Sequence, residues 1–133
     1  MSDTNPADAS CDALRVLVVD DNRGAAEVLA MFFELDGKSA KVAVDGEEAI
    51  AEVGLFDPHL VLMDLGMPRM DGYEAARRIR EHNPRVVLVA LTGSDGEEAV
   101  KRTVESGFDL HLVKPATPES LRGVVERYFP NHG

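Results

Sequence analysis

The chain has 133 residues, of which 44% are hydrophobic, and its formal net charge is −10, from 24 acidic and 14 basic side chains. That length suits one domain, able to bury roughly 65–70% of its unfolded surface. The acidic balance excludes intrinsic affinity for DNA, RNA or an anionic membrane, which need a basic face, and it suits protein partners or cations. Cys11 is the only cysteine, so no intramolecular disulfide can form and nothing points to an oxidising compartment. No apolar stretch approaches the ~20 residues needed to cross a bilayer. The start of the chain lacks the basic and apolar regions of a secretion signal, so the expected location is cytoplasmic.

In chain order, residues 1–13 are small, polar and acidic and read as a disordered lead-in. A single domain is expected over 14–129, with 130–133 as a short tail. Arg15–Val19 reads as an apolar strand, followed by a helix from about Arg23 to Leu35 with Ala25, Val28, Leu29, Phe32 and Leu35 at helical spacing. Ser39–Val44 is a more polar strand, expected at the sheet edge. Asp45, with Glu48 three residues on, caps a helix to about Val53. His59–Met63 is a third strand. Asp71 with Glu74 opens a helix over Tyr73–Glu81 that stops before Pro84. Val86–Leu91 is a fourth strand, and Ser94 or Asp95 is expected to begin a helix that ends at Ser106-Gly107. Leu110–Val113 is a fifth strand, and Thr117 caps a last helix with Pro118 at its first position. Five strand–helix units specify an α/β, doubly wound parallel sheet.

The ends of three strands carry the chemistry. Val16–Val19 leads into Asp20-Asp21, Leu60–Met63 into Asp64, and Leu110–Val113 into Lys114-Pro115. Apolar runs of this kind read as strands buried on both faces. If they run parallel, three carboxylates and one ammonium meet at the edge where open α/β sheets bind ligands. Two unit charges ~4 Å apart repel by about 4 kcal/mol at an effective dielectric near 20, so such acids protonate in part or recruit a cation. Oxygen ligands that leave open positions suit Mg²⁺. Adjacent acids after a strand also serve as a helix N-cap region; Asp64 at the end of a second strand favours the metal. Pro115 restricts Lys114 and can hold the turn in a cis form that aims the ammonium over the carboxylates. The hydroxyl of Thr92, before Gly93, can reach the same edge. A nucleophilic carboxylate, a metal, a hydroxyl and an ammonium together suit phosphoryl transfer.

The segment Asp64-Leu65-Gly66-Met67-Pro68-Arg69-Met70-Asp71-Gly72 resembles the phosphoacceptor loop of response-regulator receiver domains. Asp20-Asp21, Thr92-Gly93 and Lys114-Pro115 fall in that family's order, so the resemblance spans about Arg15 to Tyr128. It implies the flavodoxin-like (βα)5 sandwich with strand order 2-1-3-4-5, an established property of that fold class rather than a product of the spacing. It further implies that Asp64 accepts a phosphoryl group from a phosphohistidine on a histidine kinase or phosphotransfer protein. Asp21, Asp64 and the Gly66 carbonyl would ligate Mg²⁺, with Asp20 acting directly or through water. Thr92 and Lys114 would each hold a phosphoryl oxygen. Phosphorylation would then repack the face formed by the fourth helix, fifth strand and fifth helix, where a downstream protein binds. On this reading the chain is a switch rather than an enzyme, a single-domain regulator or relay, without direct nucleic-acid or membrane contact.

Two positions depart from the family. His111 stands three residues before the lysine, where Tyr or Phe is usual, and an imidazole is smaller and forms hydrogen bonds. Gly66 lacks the polar side chain of many relatives, so the water that attacks the acyl phosphate is expected to be neither positioned nor blocked from there. Competing readings are a receiver fragment of a hybrid histidine kinase, an aspartate-nucleophile phosphatase, or a flavin carrier. A phosphatase of that kind usually has a second Asp where Gly66 stands. A flavin carrier would need a Ser/Thr/Gly-rich loop after the first strand, which this chain lacks.

Overall fold

The computed structural model describes residues 13–66, 71–93 and 96–132. Five strands, β1 (Arg15–Val19), β2 (Ser39–Ala43), β3 (Leu60–Asp64), β4 (Val87–Thr92) and β5 (Leu110–Val113), alternate with five helices. These are α1 (Arg23–Leu35), α2 (Gly46–Phe56), α3 (Gly72–His82), α4 (Glu97–Glu105) and α5 (Pro118–Tyr128), and a 3-10 turn follows at Pro130–His132. All pairings are parallel, in the order β2-β1-β3-β4-β5, the flavodoxin-like arrangement expected.

Alternating side chains of the central strands point to opposite faces, so each strand feeds two cores. Leu17, Val19, Val61, Met63, Leu88 and Ala90 meet Ala49 and Val53 of α2 and Ala76 and Ile79 of α3. Val16, Val18, Leu60, Leu62, Val89 and Leu91 meet Ala26, Ala30 and Phe33 of α1 and Leu121, Val124 and Val125 of α5. Burial of a side chain such as Phe33 contributes on the order of 1.5–3 kcal/mol, and this is what makes β1, β3 and β4 a rigid platform. α4 lodges against α3 through the Arg102 guanidinium, 4.1 Å from the centre of the Tyr73 ring.

Several local expectations need correction. β5 is not buried on both faces. It is the edge strand beyond β4, half-buried, with Val113 exposed, because among the described residues no further strand pairs on its outer side. α2 runs to Phe56, past Val53, and ends on Asp57 in the left-handed region (φ 52°). α4 has Gly96 as its N-cap and no side-chain cap bond, so neither Ser94 nor Asp95 starts it, and both lie outside the described residues. So do Cys11 and the rest of the proposed lead-in up to residue 12, loop residues 67–70 and Gly133.

The capping boxes are uneven. Asp45 Oδ1 accepts from the Glu48 N–H at 2.7 Å, but Glu48 Oε1 reaches the N–H of Val44. Asp71 Oδ1 accepts from the Tyr73 and Glu74 N–H groups, while the Glu74 carboxylate turns to Arg77 and Arg78. Thr117 forms the full reciprocal box, with Ser120 as its partner.

Candidate functional site

Parallel pairing brings the C-terminal ends of β1, β3, β4 and β5 to one edge, each held by backbone bonds from the residue that follows a strand. The Asp20 N–H donates to Ala43 O (3.0 Å), the Leu65 N–H to Leu91 O (2.8 Å) and the Lys114 N–H to Thr92 O (2.7 Å). These bonds fix the backbone from which Asp20, Asp64, Thr92 and Lys114 project. Asp20, Asp64 and Thr92 are buried, at 8%, 5% and 5% exposure, so their polar atoms must find partners inside the site. Asp21 is exposed.

Asp20, Asp21 and Asp64 each present a carboxylate oxygen, and the three oxygens lie within 4.8 Å of one another. The Lys114 Nζ lies 2.5 Å from Asp64 Oδ1. The same oxygen accepts the Gly66 N–H at 2.8 Å. Asp20 Oδ1 accepts the N–H of Asn22 at 2.9 Å. Burial raises the Asp20 carboxyl above its ordinary value; the Asn22 N–H opposes that rise, the Asp64 carboxylate adds to it, and the Lys114 ammonium offsets part. A buried acid that resists ionisation beside a second carboxylate marks a place short of positive charge. Three hard oxygen donors this close together could hold Mg²⁺ there.

The acidic pair is not the cap of α1. Asn22 does that work, its side-chain oxygen accepting from the Ala25 N–H at 3.1 Å, so Asp20 and Asp21 face the cluster instead. The sequence carried this signal, since Asn is among the best N-caps and stands directly before the helix. The Lys114–Pro115 bond is cis. Gly66 joins the site through its N–H; its carbonyl, which the family resemblance assigns to the metal, is a separate group. A Cβ at Gly66 would lie 3.2 Å from Lys114 Nζ and 3.3 Å from Asp64 Oδ1, so a glycine there lets the two charges close. His111, whose identity alone stood out in the sequence, lies on β5 with Nε2 2.6 Å from Thr92 Oγ1. Met67 and Pro68 of the loop motif are outside the described residues.

Comparison with known proteins points one way. Residues 16–126 match the response regulator receiver domain family. The response regulator MprA of Mycolicibacterium vanbaalenii is 33% identical over 124 residues, covering 90% of this chain and 54% of that protein. The peroxide stress-activated histidine kinase mak1 of Schizosaccharomyces pombe is 36% identical over 118 residues, covering 83% of this chain and 7% of the kinase. The chain thus spans about half the length of the first of these curated relatives, and a small part of the second.

Among solved structures, the Vibrio cholerae chemotaxis protein CheY4 superposes with a TM-score of 0.82 at 26% identity, covering 88% of this chain and 99% of that one. The receiver domain of Ssk1 from Saccharomyces cerevisiae, solved with the histidine phosphotransfer protein Ypd1, matches with a TM-score of 0.81 at 29% identity, covering 87% and 88%. Among the described residues, no helix is long and apolar enough to cross a membrane. With five parallel strands in this order and a family match over most of its length, the chain belongs to the response regulator receiver domain family of two-component signalling.

Proposed function

We propose that the protein is a phosphoryl-accepting switch in which Asp64 receives a phosphoryl group from a phosphohistidine on a histidine kinase or phosphotransfer protein. The observation that carries this reading is the Lys114 ammonium on Asp64 Oδ1, in a cluster where Asp20, Asp21 and Asp64 present carboxylate oxygens within 4.8 Å of one another. A carboxylate oxygen of Asp64 bonds to phosphorus as the phosphorus–nitrogen bond breaks, and the leaving imidazole keeps the electron pair and takes up a proton from water. Phosphoryl transfer needs positioning and charge stabilisation more than covalent machinery. Asp20, Asp21, Asp64 and the Gly66 carbonyl are the groups that would hold Mg²⁺, which when bound neutralises the incoming phosphoryl oxygens. Lys114 offers its ammonium to one phosphoryl oxygen and Thr92 its hydroxyl to another. The backbone bonds at the strand ends preorganise both.

The state of Asp64 would be read on the α4, β5 and α5 face. Its apolar side chains Val104 and Val113 are exposed at 66% and 43%, a surface suited to a protein target. The likeness to MprA supports a role as a response regulator, and the likeness to histidine kinases supports a relay or hybrid setting. Co-crystallisation of the similar Ssk1 receiver domain with Ypd1 supports a phosphotransfer protein as donor. Incubation with Mg²⁺ and acetyl phosphate, followed by intact mass, tests the reading. The expected result is a Mg²⁺-dependent, base-labile adduct of one phosphoryl group, absent in Asp64→Asn. A wild-type protein left unmodified by acetyl phosphate and by a phosphorylated donor would overturn it.

A further inference from the structure

Thr92 ends β4 with its side chain buried, and β5 pairs beside it so that His111 stands opposite Ala90 and Val113 opposite Thr92. In this register the His111 imidazole reaches across the seam, its Nε2 2.6 Å from Thr92 Oγ1. A hydroxyl has one proton to give, and a buried one needs an acceptor. The phosphoryl group on Asp64 would need that same proton. We propose that His111 is a positioning residue acting through Thr92: in the resting protein Nε2 accepts the hydroxyl proton, and phosphorylation of Asp64 takes it away. This rests on the phosphoacceptor reading above and names how the site is restrained.

When the hydroxyl turns to the phosphoryl oxygen, Nε2 loses the proton it was accepting. The imidazole must then present an N–H to Oγ1 or leave the contact. Either outcome alters a half-buried side chain on the edge strand, next to exposed Val113 and beside α4. The acceptor's state is thereby transmitted to the β5 surface through one hydrogen bond. A bond to a charged phosphoryl oxygen is stronger than one to neutral imidazole, so the exchange runs forward on phosphorylation, while the resting bond holds back spontaneous occupancy. The ring is part of the restraint only through its nitrogen, so a phenyl ring at 111 removes the restraint while keeping a planar side chain.

The test uses the full chain with Mg²⁺ and beryllofluoride as the phosphoryl mimic. His111→Phe is expected to bind beryllofluoride about 2- to 10-fold more tightly, the size of one net hydrogen bond. His111→Gln, whose amide oxygen can accept the hydroxyl proton, is expected to restore affinity toward wild type. In a Thr92→Val background His111→Phe is expected to change nothing, because the shared proton is gone. In the wild-type protein the Nε2 nitrogen resonance is expected to move on beryllofluoride addition. An unmoved Nε2 resonance, an unchanged affinity in His111→Phe, or an equal effect of that change with Thr92 and with Val at 92 would overturn the inference alone. Failure of the wild-type protein to bind beryllofluoride with Mg²⁺ present would instead overturn the phosphoacceptor reading on which it stands.

Discussion

Replacing Lys114 by methionine isolates the charge balance of the site. The ammonium lies 2.5 Å from Asp64 Oδ1, and the two side chains are 40% and 7% exposed. At an effective dielectric near 20, two unit charges at that distance attract by roughly 6–7 kcal/mol. Water around the exposed lysine screens much of this, and the charge-assisted hydrogen bond is worth a net of about 1.5–3 kcal/mol. The methionine variant keeps the stem but strands the Asp64 carboxylate beside Asp20. We therefore expect Lys114→Met to lower the unfolding free energy of the metal-free protein by about 1.5–3 kcal/mol at pH 7 in low salt. Mg²⁺ should narrow the gap, because a cation entering the cluster no longer meets the ammonium's repulsion and binds the variant more tightly. Chemical denaturation in EDTA and across a Mg²⁺ series measures both. A variant as stable as wild type in EDTA, with the same Mg²⁺ response, would show that Lys114 is not the counter-ion of the acidic cluster.

Asp20 supplies a pH signature. Its carboxyl is raised above 3.8, chiefly by burial, so the folded state disfavours its charge and loses stability as pH rises through the raised value. Asp20→Asn should therefore raise the melting temperature of the metal-free protein at pH 7 and lose that advantage below pH 3.8; equal melting temperatures at both would contradict the assignment. Gly66→Ala places a Cβ 3.2 Å from Lys114 Nζ and 3.3 Å from Asp64 Oδ1. Labelling by acetyl phosphate should slow while stability changes by no more than about 1 kcal/mol, and an unaltered labelling rate would argue that the two charges need not close. Phe33 is 1% exposed in the α1 core, and Phe33→Ala should cost about 3–5 kcal/mol by denaturant unfolding without altering Mg²⁺ affinity in the protein that remains folded.

Much of the fold was legible because its cores are built from uninterrupted apolar strands. Val16–Val19 and Leu60–Met63 are buried on both faces, and runs of that kind have few other places to go. The edge character of Ser39–Ala43 was equally visible in its polar residues. β5 misled because Leu110, Leu112 and Val113 are as apolar as a central strand. Only its place at the end of the sheet order leaves it half-exposed. The start of α4 departs from the capping pattern of the sequence: Ser94 and Asp95 have the chemistry of caps, but the helix begins after Gly96.

The residue types of the site, and their place at strand ends, belong to the sequence alone. Acids at 20, 21 and 64, the hydroxyl at 92 and the lysine at 114 follow from strand periodicity and from which residues end each run. What folding in three dimensions decided is which atoms face which. Parallel register carries Asp64 and Lys114 across two intervening helices to within 2.5 Å. It also sets His111 Nε2 2.6 Å from Thr92 Oγ1, between two neighbouring strands. The Asp64–Lys114 and Thr92–His111 contacts depend on direction and distance between segments far apart in the chain, whereas the Asn22 cap and the Gly66 N–H on Asp64 are local; periodicity along one strand carries no information about its neighbour's register.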